Sequence, residues 1–127
     1  MEFDKQTLIS YRIKRSDETI EEAQLAIDNN KLNLAANRIY YIGFYIISAL
    51  ALKENFSTSK HSQLLGWFNK NYIKTGKLNS ELGQIYLNAY RRRQESDYED
   101  MVSFEKDDLI DKLEKMKIFV KNIKVKL

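Results

Sequence analysis

Apolar residues return every three or four positions along almost the whole chain, which is the period of an α-helix and not of a strand. A first helix is predicted from about Asp4 to Asp28, where Ile13, Asp17, Ile20, Ala23 and Ile27 fall at helical spacing and Leu8 sits a turn earlier. Asn29-Asn30 makes a stop, because asparagine tolerates the left-handed residue that ends helices. A second helix runs from about Leu32 to Asn55, apolar on almost every side between Ala35 and Leu52, as expected of a helix at a bundle centre or under a second subunit. Ser57-Thr58-Ser59 breaks the pattern and offers capping oxygens. A third helix follows from about Lys60 to Lys74 and stops at Thr75-Gly76. Asn79 or Ser80 caps a fourth, from about Glu81 to Asp97, with Leu82, Ile85, Tyr86, Ala89 and Arg93 on one side. Tyr98 to Ser103 reads as a connection. A fifth helix spans about Phe104 to Lys124, with Leu109, Leu113, Met116, Val120 and Ile123 as its stripe. Long helices joined by short connections favour antiparallel neighbours. The expected fold is all-α: one domain over 1–127, a five-helix, mostly antiparallel up-and-down bundle.

Composition narrows the chemistry. The 127 residues include no cysteine, no proline, four glycines and one histidine. Disulfides, thiolate metal sites and cysteine nucleophiles are excluded, and so is a multi-histidine metal site within one subunit. No metal and no cofactor are expected. The net charge of +3 is a mild basic bias, short of a dedicated nucleic-acid binder. The N-terminus lacks a secretion signal's layout, and the apolar stretch Ile39–Leu52 falls short of the ~20 residues that span a bilayer. A cytoplasmic protein without a membrane segment is the expectation. So apolar a second helix, with further aromatics, predicts a homodimer.

The densest polar cluster is Tyr90-Arg91-Arg92-Arg93-Gln94-Glu95-Ser96-Asp97-Tyr98-Glu99-Asp100. Consecutive arginines point about 100° apart around a helix, so they cannot share one ligand. Arg93 continues the line Ile85, Ala89, Arg93, Asp97. Two readings stay open: a structural Arg93–Asp97 bridge, or a guanidinium offered to a phosphate with Tyr98 nearby and Arg92, Asp97 and Lys60 around it. His61, at the start of helix three, reads as a surface or capping residue, or with Lys60 as part of an anion site. The run Tyr40, Tyr41, Phe44, Tyr45 reads as core or interface before it reads as a base-stacking platform. Lys112, Lys115, Lys117, Lys121, Lys124 and Lys126 read as a solvated face. Neither a phosphate-binding glycine loop nor a nucleophile elbow is present, and chemistry alone assigns no enzyme.

Four pieces in order resemble the HEPN domain family. They are Ala35-Ala36-Asn37-Arg38-Ile39-Tyr40-Tyr41-Ile42-Gly43-Phe44, then Lys60-His61-Ser62-Gln63-Leu64-Leu65-Gly66-Trp67-Phe68, then Phe68 through Gly76-Lys77-Leu78, then Arg93-Gln94-Glu95-Ser96-Asp97-Tyr98. The resemblance implies a dimeric helical bundle, a nucleotidyltransferase as protein partner, and in some members a toxin–antitoxin pairing. Toxic members of the family are metal-independent ribonucleases with an arginine, four to six residues, then a histidine. Here Tyr98 stands at that place, counted from Arg93, Arg92 or Arg91. A phenol with a reference pKa of about 10 is a poor base near neutrality. The expectation is a non-catalytic module that binds a nucleotide or RNA phosphate, or the nucleotidyltransferase, through the Arg93–Tyr98 end of helix four. A divergent ribonuclease using Arg93, Tyr98 and His61, and a purely structural dimer, are the alternatives.

Overall fold

The computed structural model describes residues 4–98 and 103–127, and of residues 96–98 only the helical backbone. Five α-helices follow one another: α1 (Lys5–Asp28), α2 (Leu32–Lys53), α3 (His61–Phe68), α4 (Ser80–Tyr98) and α5 (Lys106–Lys124). The described residues contain no strand. The all-α bundle expected from the periodicity is the fold observed. α2 is its axis and packs against α1, α3, α4 and α5.

The ends of the helices follow from local chemistry. Asp4 caps α1 by accepting the Thr7 amide at 2.8 Å. Asn30 (φ 57°) and Asn55 (φ 65°) take the left-handed conformation that lets α1 and α2 stop. At those stops the Lys31 amide reaches the Ala26 carbonyl at 2.8 Å and Phe56 reaches Ala51 at 2.9 Å. Asn79 caps α4 through the Glu81 amide at 2.7 Å. The Ser57-Thr58-Ser59 break acts differently from the expected cap. Lys60 is the capping residue of α3, and its own amide donates to Thr58 Oγ1 at 3.1 Å.

Two departures from the sequence reading have physical causes. The third helix is not one regular helix to Lys74: α3 ends at Phe68 and continues as a π-helical turn, Asn69–Ile73. The wider turn places Phe68 and Tyr72 rings in a stack at 5.9 Å, both buried. Asp17 is not on the buried side of α1. It lies exposed and accepts from Lys124 at 2.7 Å. The buried face of α1 carries small residues instead, Ser16, Thr19, Ala23 and Ala26. Their size lets α1 lie close to α2, and Ser16 donates to the Ile42 carbonyl at 2.9 Å.

The interior of α2 is covered within the one chain. Ile42, Ile46, Ile47, Ala49 and Leu50 are fully buried. The helix is long and apolar enough to cross a membrane, but 67% of its most apolar window is buried in the bundle. The expectation of a dimer therefore loses the apolarity of α2 as its support.

Gly43 of α2 faces Tyr86 of α4 and Met116 of α5. A Cβ there would stand 2.7 Å from the Tyr86 ring and 3.2 Å from Met116 Sδ, whereas a Cβ at Gly66 would meet nothing within 4 Å. The Gly43→Ala variant is expected to lose about 1–2 kcal/mol, overpacking outweighing the gain in helix propensity. Gly66→Ala, on an exposed helical position, is expected to gain about 0.5–1 kcal/mol. Urea unfolding of the two variants beside the parent checks the sign of each.

Candidate functional site: a buried phenol joining an imidazole and a guanidinium

The site is built around Tyr40. Helical spacing puts Tyr40 and Phe44 on one line of α2, and Tyr41 and Tyr45 on the next. On α4 the line facing them is Gly83, Tyr86, Tyr90 and Arg93, spaced by three, four and three. This line lies beside the Ile85–Ala89–Arg93–Asp97 line read from the sequence. Tyr86 is fully buried, while Ile85 and Ala89 are only partly so. Gly83 allows the approach, because a Cβ there would stand 2.5 Å from Ile73 of the π-helical turn.

Tyr40 is fully buried. Its ring stacks with that of Tyr86 at 5.7 Å and meets Tyr90 edge-on at 6.0 Å. Its hydroxyl is 2.6 Å from His61 Nδ1 and 3.3 Å from the Tyr86 hydroxyl. Burial pushes the Tyr40 phenol up to about 12, against smaller lowering effects of the Tyr86 hydrogen bond and the Arg93 charge. Burial likewise pushes Tyr86 well above the usual phenol range. Both hydroxyls therefore keep their protons at neutral pH.

His61 enters from the first turn of α3. Its ring stacks on Phe44 at 4.4 Å with 16° between planes and meets the Tyr41 ring edge-on at 5.8 Å. Arg93 approaches the same aromatic group from α4. Its guanidinium carbon is 5.3 Å from the Tyr40 centroid and 5.7 Å from that of Tyr41. Such a contact is worth roughly 0.5–2 kcal/mol, more as water is excluded. Arg93 Nε is sealed from solvent, and the side chain as a whole is partly exposed. Tyr41, Phe44 and Tyr45 are also partly exposed. Arg38 lies 5.0 Å over Tyr41 and Arg15 lies 5.1 Å over Tyr45, and both also pair with Glu22.

The structure thus brings together two of the site residues expected from the sequence, Arg93 and His61. It parts them from Arg92, which pairs with Asp108 at 3.1 Å and lies over Phe104. Arg92 borders a separate cavity of about 280 Å³ between α2, α4 and α5, lined by Ala36, Ile39, Ile85, Ala89 and Met116. One helical step, about 100°, accounts for the separation. Lys60 is exposed at the cap of α3. The side chains of Asp97 and Tyr98 lie outside the described residues, and with them the expected Arg93–Asp97 bridge and the expected role of Tyr98. α4 runs to Tyr98, so the connection begins later than expected, and 99–102 lie outside the described residues. Tyr40, Tyr86 and Tyr90 were not singled out from the sequence as members of the site. The spacing Gly83, Tyr86, Tyr90, Arg93 was the available signal for the two on α4.

A five-helix bundle with a polar arginine at the end of its fourth helix defines a class. The chain belongs to the HEPN domain family, whose pattern it matches over residues 9–126. It is 40% identical over 117 residues to a UPF0332 protein of Thermotoga maritima, covering 92% of this chain and 89% of that protein. It is 32% identical over 112 residues to a Methanocaldococcus jannaschii protein named as a candidate toxin, covering 88% of this chain and 76% of that protein.

The hydroxyl chain predicts an ordering of stabilities. Tyr40→Phe leaves the buried Tyr86 hydroxyl without its acceptor and is expected to cost about 2 kcal/mol. Tyr86→Phe removes a donor and strands nothing, so about 1 kcal/mol or less is expected. Denaturant unfolding of both variants reads the order directly, and an equal cost would mean that the hydroxyls are not linked.

Proposed function

We propose that the protein is a HEPN-type binding module that grips a phosphate of RNA or of a nucleotide between Arg93 and His61. The observation that carries this reading is that both side chains, from separate helices, contact the one buried residue Tyr40. A guanidinium matches a phosphate in shape and charge. The partly exposed rings of Tyr41, Phe44 and Tyr45 offer faces on which bases stack, at about 1–3 kcal/mol each. Homodimerisation and a nucleotidyltransferase partner belong to the same proposal, and their support is the family resemblance; a cytoplasmic location is proposed with them.

The second reading is a metal-independent ribonuclease in which His61 replaces the histidine that Tyr98 displaces from the motif. Its support is that His61 shares the Tyr40 cluster with Arg93, and that a relative carries a toxin's name.

Binding is read by fluorescence anisotropy with a short single-stranded RNA. Arg93→Ala is expected to weaken it about 10- to 100-fold, the worth of a charge-assisted contact, and Lys121→Ala on α5 to change it less than about twofold. Equal losses in the two variants would reject a specific phosphate site. The same RNA incubated with the protein and without metal is expected to stay intact. Cleavage that disappears in His61→Ala would establish the ribonuclease instead. Light scattering at micromolar concentration is expected to give a dimer, and a monomer would remove that part.

A further inference from the structure

The cavity between α2, α4 and α5 is separate from the cluster on Tyr40. Protein interiors are close-packed, and voids much larger than a water molecule are few. This one holds about 280 Å³, close to the lower end of small-molecule sites. Ala36 and Ile39 of α2 and Leu109 and Met116 of α5 line it, yet each of the four is 6% exposed or less. Along α4 the lining runs from Glu81 to Arg92, three helical turns or about 16 Å. So small a volume drawn out over that length is a slender slot, too narrow to admit a helix about 10–12 Å across. Its apolar walls, which Ile85 and Ala89 complete, are aliphatic, and no aromatic ring is among the described lining residues. A flat ring would find no stacking partner there, whereas an alkyl chain needs only apolar contact.

The rim of the slot is charged. Arg92, Lys112 and Lys115 stand against Glu81 and Asp108. Arg92 is paired with Asp108 across from α4 to α5 at 3.1 Å, and Lys115 is paired with Asp111 at 3.1 Å. Lys112 is half-buried and has no carboxylate partner among the described residues. Glu81 is exposed in the first turn of α4, where water and salt screen its charge. A partly desolvated ammonium at the edge of an aliphatic slot suits a ligand with an anionic head and an apolar tail. We propose that the slot between α2, α4 and α5 binds a slender amphipathic anion of the medium-chain carboxylate class. Its chain lies along Ile39, Ile85, Leu109 and Met116, and its carboxylate pairs with Lys112 at the rim. This site is independent of the anion reading of Arg93 and His61.

Met116 on the floor supplies the probe. Methyl spectra of the full chain, labelled at its three methionines and assigned with Met116→Leu, follow a titration with sodium octanoate below its micelle concentration. The Met116 signal is expected to shift and saturate. Affinity is expected to rise from butanoate through hexanoate to octanoate, by up to about fourfold per methylene. Octyltrimethylammonium, with the same chain and the opposite charge, is expected to bind at least about tenfold more weakly than octanoate. Lys112→Gln is expected to weaken octanoate about three- to tenfold, and Lys121→Ala to change it less than about twofold. Ala89→Phe, which fills the slot, is expected to remove the saturable shift. An unshifted Met116, an affinity independent of chain length, equal binding of the ammonium, or parental binding by Lys112→Gln or Ala89→Phe overturns the proposal. Should Ala89→Phe fail to fold, the parent and Lys112→Gln decide.

Discussion

A buried phenol must give its hydrogen to something, and in this bundle that requirement joins three helices. Tyr40 lies on the central helix with no exposed surface. The hydrogen bonds of its hydroxyl reach α3 through His61 and α4 through Tyr86. Its ring face receives Arg93 from further along α4. Removing the Tyr40 hydroxyl leaves the buried Tyr86 hydroxyl without its acceptor, which costs more than the bond itself contributes. The fold and the site therefore share one residue, and the position of His61 follows from the same packing that closes the core.

The surroundings of Tyr40 are shaped to permit this. Gly43, one turn along α2, leaves room for the Tyr86 ring, and Gly83 leaves room for Ile73 of the π-helical turn. A side chain at either position would push α4 outward and lengthen the hydroxyl chain. The π-helical turn keeps both Phe68 and Tyr72 buried behind the site. The imidazole that meets the Tyr40 ring comes from the first turn of α3, and the guanidinium over the same ring comes from α4. Tertiary packing brings both the guanidinium and the imidazole to the Tyr40 ring.

The helices were legible in the sequence because their signals are local. Asp4, Asn30 and Asn79 act where their capping chemistry predicts. The family resemblance was legible for the same reason, as short pieces in the right order. The partnership of Arg93 with His61 was not legible, since 31 intervening positions separate residues 61 and 93 and no periodicity joins them. The sequence placed Tyr86 on the buried side of α4 together with Ile85 and Ala89, and of these three Tyr86 is the one fully buried. In this bundle Tyr86 is the better core residue, as its ring stacks on Tyr40 and its hydroxyl finds a partner there, while Tyr90 is partly buried like Ile85 and Ala89. Asp17 misled in the opposite way: its spacing suited the buried face, and its charge found Lys124 at the surface.

If Arg93 and His61 hold the same anion, their contributions to binding cannot be independent. A double-mutant cycle on the affinity for a short single-stranded RNA, using Arg93→Ala, His61→Ala and the combined variant, measures this directly. The account predicts that the combined loss falls short of the sum of the single losses by about 1 kcal/mol or more. Strict additivity would mean that the two side chains act at separate places, and would contradict the single site built on Tyr40.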